Sequence, residues 1–160
     1  MRDKRFITEN CGGSLKKEQH RQLIKWACDC AEHILPLFGE KLDERLENAL
    51  LIAKEWGEGR ATVGDAMKAS VDSHAIARES SNPISIAVAR AIGHAVATAH
   101  MADHSLGCPL YALKAVKHAS RSVDKEREWQ RKRLKQLRLP SEIVELVLIT
   151  MIKKEKSLKI

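Results

Sequence analysis

The stretch PISIAVARAIGHAVATAHM, residues 83–101, decides the fold. Its polar positions are few: Ser85, Arg90, His94, Thr98 and His100. A helix of this sequence is apolar almost all the way round, and such a helix is buried at the centre of a bundle. The alanines and Gly93 let the backbones of neighbouring helices approach closely. The stretch therefore predicts a buried, alanine-rich central helix.

The rest of the chain has the apolar spacing of amphipathic helices. Three further helices are predicted before the central one and three after it, over about residues 14–36, 43–56, 62–80, 106–120, 123–137 and 140–154. In the predicted helix over residues 62–80, one line along the surface carries three apolar residues and a histidine: Val63, Met67, Val71 and His74. No alternating strand pattern of useful length is present. The predicted fold class is all-α, a single-domain bundle of six or seven helices.

The chain divides into an N-terminal arm (residues 1–13), an all-helical domain (14–154) and a basic C-terminal tail (155–160). Its 160 residues, 44% hydrophobic and 31% charged, are typical of a globular domain with its own core. The charged N-terminus lacks the apolar run of a signal peptide. The most apolar segment, residues 143–152, is shorter than a bilayer requires. We expect a cytoplasmic protein with no membrane association and four free thiols.

The segment GHAVATAHMADHSLG, residues 93–107, contains three histidines and an aspartate. On an unbroken helix, His100 and His104 would share one face at i, i+4 spacing, with Cys108 one turn further on. Pro109 disfavours that turn, and the spacing matches no established ligand pattern, so no metal and no cofactor is predicted. The histidines either pack at a helix end or line a polar pocket that holds a ligand or anchors a partner. The candidate residues for that pocket are His74, His94, His100, Asp103 and His104.

The sequence contains none of the motifs that would indicate an enzyme. There is no G-x-S-x-G, no glycine-rich phosphate loop and no H-E-x-x-H. Cys28 and Cys30 lie two residues apart on a predicted helix, so their thiols point in nearly opposite directions and cannot hold one ion. No catalytic residue is predicted.

Positive charge concentrates in the last quarter of the chain. The net charge is +7, and residues 121–160 contain 12 Lys and Arg against six Asp and Glu. Such a surface can attract phosphates while a tryptophan stacks on a base. Acidic residues interrupt the run, so a solvated helix with i, i+4 ion pairs is favoured over nucleic-acid binding. The candidate basic surface is Arg127, Trp129, Arg131, Lys132, Arg133 and Lys135.

Several motifs together carry a resemblance to a known family. They are LIKWACDCAEHILPLF, DERLENALLIAKEW, HAIARE, ARAIGHAVATAHMADHSLG and the following YALKAV. In these motifs the chain resembles the putative immunity protein family, small all-α bacterial domains of toxin–immunity systems. The likeness extends over about residues 20–150, and residues 93–107 are its most specific part.

The resemblance implies a non-catalytic protein that binds and neutralises a cognate toxin. Because this chain is basic, we expect the toxin to present an acidic contact face. A homodimer is compatible with the alanine-rich helix faces, although no residue demands one. Two alternatives stay open: a nucleic-acid-associated accessory protein using the basic C-terminal region, and a metal-dependent enzyme using His100 and His104.

Overall fold

Seven α-helices make up most of the computed structural model, which describes residues 2–160. They are α1 (Lys17–His33), α2 (Glu44–Gly57), α3 (Val63–Glu79), α4 (Pro83–Ala97), α5 (Gly107–His118), α6 (Val123–Lys135) and α7 (Ser141–Leu158). Short 3₁₀ turns cover Lys4–Phe6, Glu9–Cys11, Leu35–Phe38 and Ala102–Leu106. The described residues form no strand beyond one isolated bridge between Thr8 and Leu15. The predicted all-α bundle is confirmed.

The central helix is α4, as the sequence predicts. It packs against α1, α2, α3 and α5. Its buried residues are mostly small: Ser85, Ala87, Val88, Ala89, Ala91, Ile92, Gly93, Ala95 and Val96. At its start, the Asn82 side chain accepts hydrogen bonds from the backbone N–H groups of Ile84 and Ser85, and Pro83 occupies the first turn. Small side chains allow four helices to surround one.

The central helix ends at Ala97, four residues earlier than predicted. In a longer helix the Thr98 carbonyl would accept a hydrogen bond from residue 102. Instead, the buried His20 ring on α1 donates its Nε2–H to that carbonyl. The chain then leaves the helical path and makes the 3₁₀ turn at Ala102–Leu106. The contact comes from a residue 78 positions away in the sequence.

Helix α3 buries a different face from the apolar line in its sequence. An apolar line is usually the core face of a helix. Here Val63, Met67 and Val71 are exposed, with 40%, 45% and 63% of their surface accessible. The face towards α4 carries mainly small residues: Ala66, Ala69, Ser70, Ser73, Ile76 and Ala77. Ser70 donates its hydroxyl to the Gly93 carbonyl at 3.0 Å, which fixes the close crossing of α3 and α4.

The two chain ends pack onto the bundle. Phe6 and Leu15 are buried, and the Leu15 N–H donates to the Ile7 carbonyl at 2.9 Å. At the other end, α7 continues past Lys154 to Leu158 and buries Glu155. None of the helices in residues 2–160 has the length and apolar character needed to cross a membrane.

A relay of hydrogen bonds ties α6 to α1 and α5. The indole N–H of Trp26 donates to the backbone carbonyl of Gln130 at 3.0 Å. The Gln130 side-chain amide donates in turn to the Pro109 carbonyl at 3.0 Å. Trp26 and Gln130 are both buried. Buried polar groups of this kind must keep their partners.

Gln130→Leu tests this relay. The variant keeps a similar volume but removes the donor to the Pro109 carbonyl, so we expect the free energy of unfolding to fall by about 1–3 kcal/mol. Urea denaturation followed by circular dichroism measures the change. Lys132→Ala, at an exposed position of the same helix, is the control and should change stability by less than about 0.5 kcal/mol. Equal stabilities of the two variants would contradict the relay.

Candidate functional site

Three histidines and a tyrosine from four different elements meet beside α4. His74 comes from α3, His94 from α4, His104 from the 3₁₀ turn and Tyr111 from α5. His94 lies in the middle: its ring centroid is 5.3 Å from that of His74, 5.6 Å from that of His104 and 5.3 Å from that of Tyr111. The His94 and Tyr111 rings are nearly parallel. These four residues are called the histidine cluster below.

Two glycines leave room for the imidazole rings. A Cβ on Gly93 would lie 2.8 Å from Cε1 and Nε2 of His74. A Cβ on Gly107, the first residue of α5, would lie 2.5 Å from Cγ and Nδ1 of His94. Real Cβ atoms are essentially never that close to another heavy atom, so each ring occupies the space that a side chain would take. The glycines at both ends of the 93–107 segment therefore position the cluster.

The protonation of His74 follows from its hydrogen bond. Nη1 of Arg90 lies 2.8 Å from Nδ1 of His74. Because a guanidinium can only donate, Nδ1 must accept, and His74 is neutral with its proton on Nε2. The Nδ1 atom of His94 is buried and has no partner.

All three imidazoles are held in the neutral form. Burial, followed by the positive charge of Arg90, lowers the pKa of His74 to about 4. Burial, followed by the neighbouring His74, lowers the pKa of His94 to about 4. Burial also lowers the pKa of His104, although Asp103 opposes that effect. Neutral, half-buried rings with lowered pKa values are poor proton acceptors near pH 7.

The surroundings of the cluster are positively charged. The positive charges of Arg90 and Arg78 help to lower the pKa of His74. The charge of Lys154 on α7 does the same for His94 and His104. Lys114 lies over the Tyr111 ring, with its Nζ 5.1 Å from the centroid. The one carboxylate that acts on the cluster, Asp103, is itself paired with Arg2 at 3.1 Å. The cluster suits a negatively charged group better than a cation.

Comparison with known proteins places this chain in a family. The family model described as Imm-5 like putative immunity protein matches residues 13–137. This chain belongs to that family. The matched range contains α1 to α6 and the whole histidine cluster, whereas α7 lies outside it. Neither the curated proteins nor the solved structures contain a significant match.

Four of the five predicted pocket residues lie at or beside the cluster of this immunity-family chain. His74, His94 and His104 form it, and Asp103 adjoins His104. His100 is exposed and does not stack on the other rings. Nothing in the sequence pattern pointed to Tyr111 as a member of the cluster. Its place in YALKAV, one turn after Gly107, indicates only a helical position.

The helical metal ladder is not present. Because α4 ends at Ala97, His100 and His104 do not share one helix face. Cys108 is buried and donates its thiol to the Ala27 carbonyl at 3.0 Å. Within residues 2–160, no group of three or more His, Cys, Asp or Glu side chains is arranged to hold a metal ion. The geometry that a metal-dependent enzyme would need at His100 and His104 is therefore missing.

The buried thiols are unreactive. Burial raises the pKa of Cys28 to about 12, and it raises the pKa values of Cys30 and Cys108 as well. Since the thiolate is the nucleophile and the metal ligand, these residues act as small hydrophobic side chains.

Most of the predicted basic surface is engaged within the fold. One face of the Trp129 ring is covered by His33, with the ring centroids 3.7 Å apart and the planes 1° from parallel. Arg127 pairs with Glu155 at 2.8 Å and with Asp124 at 2.6 Å, and Arg133 pairs with Asp29 at 2.7 Å. Arg131 is half-buried, which leaves only Lys132 and Lys135 exposed. Trp129 therefore packs against His33 with one face of its ring.

A groove of about 1030 Å³ lies between the N-terminal segment and α7. Its walls carry both signs of charge, including Lys153 and Lys154 against Glu142 and Glu145. Asp103 lines its edge, and the Oδ1 atom of Asp103 is buried without a partner. The histidine cluster itself does not line this groove.

The glycine contacts predict how much each of two alanine variants is destabilised. Gly107→Ala should reduce the free energy of unfolding by about 3 kcal/mol, because the added Cβ meets Cγ of His94, which the rigid α4 backbone holds in place. Gly93→Ala should cost less, about 1 kcal/mol, because alanine favours the interior of α4 and thereby offsets part of the clash with the His74 ring. Thermal denaturation measures both.

Gly64→Ala is the matched control. A Cβ at Gly64 would have its nearest neighbour at 3.7 Å, an ordinary contact, and alanine favours the helix. This variant should be as stable as the natural protein or slightly more so. A Gly107→Ala variant as stable as Gly64→Ala would contradict the account of the cluster.

The lowered pKa values predict a loss of stability in weak acid. Below pH 6.5 the histidines of the unfolded chain take up protons that the folded cluster resists until about pH 4, so stability falls as the pH falls through that range. After allowance for solvent screening we expect a loss of about 2 kcal/mol between pH 7 and pH 4.5. Urea denaturation at each pH measures it. A His94→Gln variant should show a flatter dependence, and an unchanged slope would contradict the assignment.

Proposed function

We propose that this chain is a bacterial immunity protein that binds a cognate toxin protein and neutralises it without any catalysis of its own. The observation that carries the proposal is the family match over residues 13–137. The match covers the central helix, every helix packed around it and the histidine cluster.

The chemistry of the cluster supports binding over catalysis. Nucleophilic catalysis requires an activated nucleophile beside a base that can accept its proton. The thiols here are buried with raised pKa values, and the cluster histidines have lowered ones. What the cluster offers is aromatic surface and cationic edges in fixed positions. Pre-organised groups of this kind favour tight association.

The charge around the cluster supports an acidic contact face on the toxin. Arg78, Arg90 and Lys114 surround the rings, and the nearby Asp103 is already paired. Complementary charge accelerates encounter and selects the partner. We expect the protein to act in the cytoplasm, where it would meet a toxin before the toxin reached its target.

Survival of cells that make the toxin tests the function. The toxin-like product of the neighbouring gene should kill cells when expressed alone, and co-expression of this protein should restore growth. The pair should also co-purify with a fixed stoichiometry.

The double variant Lys132→Gln, Lys135→Gln serves as the control for the nucleic-acid alternative. It removes the two exposed cations of the predicted basic surface. Full protection by the variant is expected for toxin binding, whereas loss of protection would favour nucleic-acid binding. No protection and no complex with the natural protein would contradict the proposed function.

A further inference from the structure

The apolar line of α3 faces solvent although its spacing is that of a packed helix face. Val63, Met67 and Val71 follow one another at i, i+4 and i+8. Side chains at that spacing form a continuous strip on a helix. At 40–63% exposure, they are not covered by the described part of this chain. Adjoining exposed apolar side chains of this kind mark contact surfaces more often than isolated ones do.

The strip leads directly to the histidine cluster. The next positions along the same helix face are His74 and Arg78, three and seven residues after Val71. His74 connects to Arg90 of α4 through the 2.8 Å hydrogen bond. The apolar strip therefore continues into a part that carries Arg78 and Arg90, which we call the cationic end. The strip and the cationic end form one surface. We call it the α3 surface and define it as Val63, Met67, Val71, His74, Arg78 and Arg90.

Within residues 2–160, no carboxylate forms an ion pair with Arg78 or Arg90 at the His74 end of the α3 surface. The permanently charged groups acting on His74 are Arg90 and Arg78. Glu79, next to Arg78 in the sequence, acts on Arg78 only at longer range and forms its ion pair with Arg45 at 2.9 Å. A partner that placed a carboxylate at this end could therefore form charge-assisted hydrogen bonds with the guanidinium groups of Arg78 and Arg90.

We propose that the α3 surface is where the toxin docks, through a segment that lays apolar side chains along Val63, Met67 and Val71 and places a carboxylate against Arg78 and Arg90. This inference rests on the proposed function and names the surface that carries it out. Apolar side chains at the centre of a contact, with charged pairs at its edge, are the usual arrangement of specific interfaces.

Charge also argues against a second copy of this chain as the occupant. A second copy packed on the same surface would bring its own Arg78, Arg90 and His74. These groups supply cations and neutral rings, so the donors at this end would remain unpaired. A partner with an acidic residue beside an apolar segment satisfies both parts of the surface.

Two substitutions at exposed positions test the proposal. Met67→Asp and Val71→Asp each put a carboxylate into the apolar strip and should weaken binding of the neighbouring gene's product more than tenfold, which is about 1.4 kcal/mol. Both side chains point outwards, so thermal stability should be unchanged. Isothermal titration calorimetry with the purified toxin, inactivated if necessary, gives the affinity.

Ile152→Asp is the matched control. Ile152 is also apolar and 43% exposed, but it lies on α7, outside the family match. The affinity of the Ile152→Asp variant for the toxin should equal that of the natural protein. Arg78→Gln should weaken binding less than the strip variants do and should reduce the dependence of the affinity on salt.

The outcomes separate this inference from the proposed function. If the natural protein neither binds nor protects, the proposed function fails. If it binds and both strip variants bind equally well, only the α3 surface is wrong. If light scattering shows a dimer that Val71→Asp dissociates while toxin binding is retained, the surface belongs to a second copy and the inference is overturned.

Discussion

The structure depends on two imidazole rings that lie where side chains of Gly93 and Gly107 would be. Each ring comes from a different helix than the glycine it covers, so the two contacts fix how α3 and α5 lie against α4. Alanine at either position would bring a Cβ within 2.8 Å of a ring atom. The small residues of α4 complete the arrangement, because they let four helices approach one central helix. Close packing of this kind leaves little freedom for the rings.

The same contacts determine the chemistry of the cluster. Burial keeps the imidazoles neutral and lowers the pKa values of His74 and His94 to about 4. Neutral rings with arginine and lysine at their edges give a surface that is aromatic, cationic and rigid. These properties favour recognition of a partner over proton transfer. The exposed apolar strip of α3 extends the surface, so one face of the protein combines the two kinds of contact that protein interfaces use.

Local sequence was enough to predict the elements whose determinants are local. The apolar residues of 83–101 indicate the buried helix. The predicted starts of the second and third helices, residues 43 and 62, are the N-caps of α2 and α3, where the side chains accept backbone hydrogen bonds. The end of α4 was missed because it depends on His20, which donates to the Thr98 carbonyl from α1. The orientation of α3 could not be predicted, because the apolar line alone does not show which face a neighbour covers. The roles of Trp129 and Tyr111 depend on His33 and His94, and such pairings become visible only in three dimensions.

The proposed toxin-binding surface is the face formed by α3 and the histidine cluster. The most direct test is nuclear magnetic resonance of the histidine Cε1–H groups during titration with the purified product of the neighbouring gene. The account predicts that the His74, His94 and His104 signals shift on complex formation, while the buried His20 and the exposed His118 at the end of α5 do not. A stoichiometric complex that leaves the three cluster signals unchanged would contradict it.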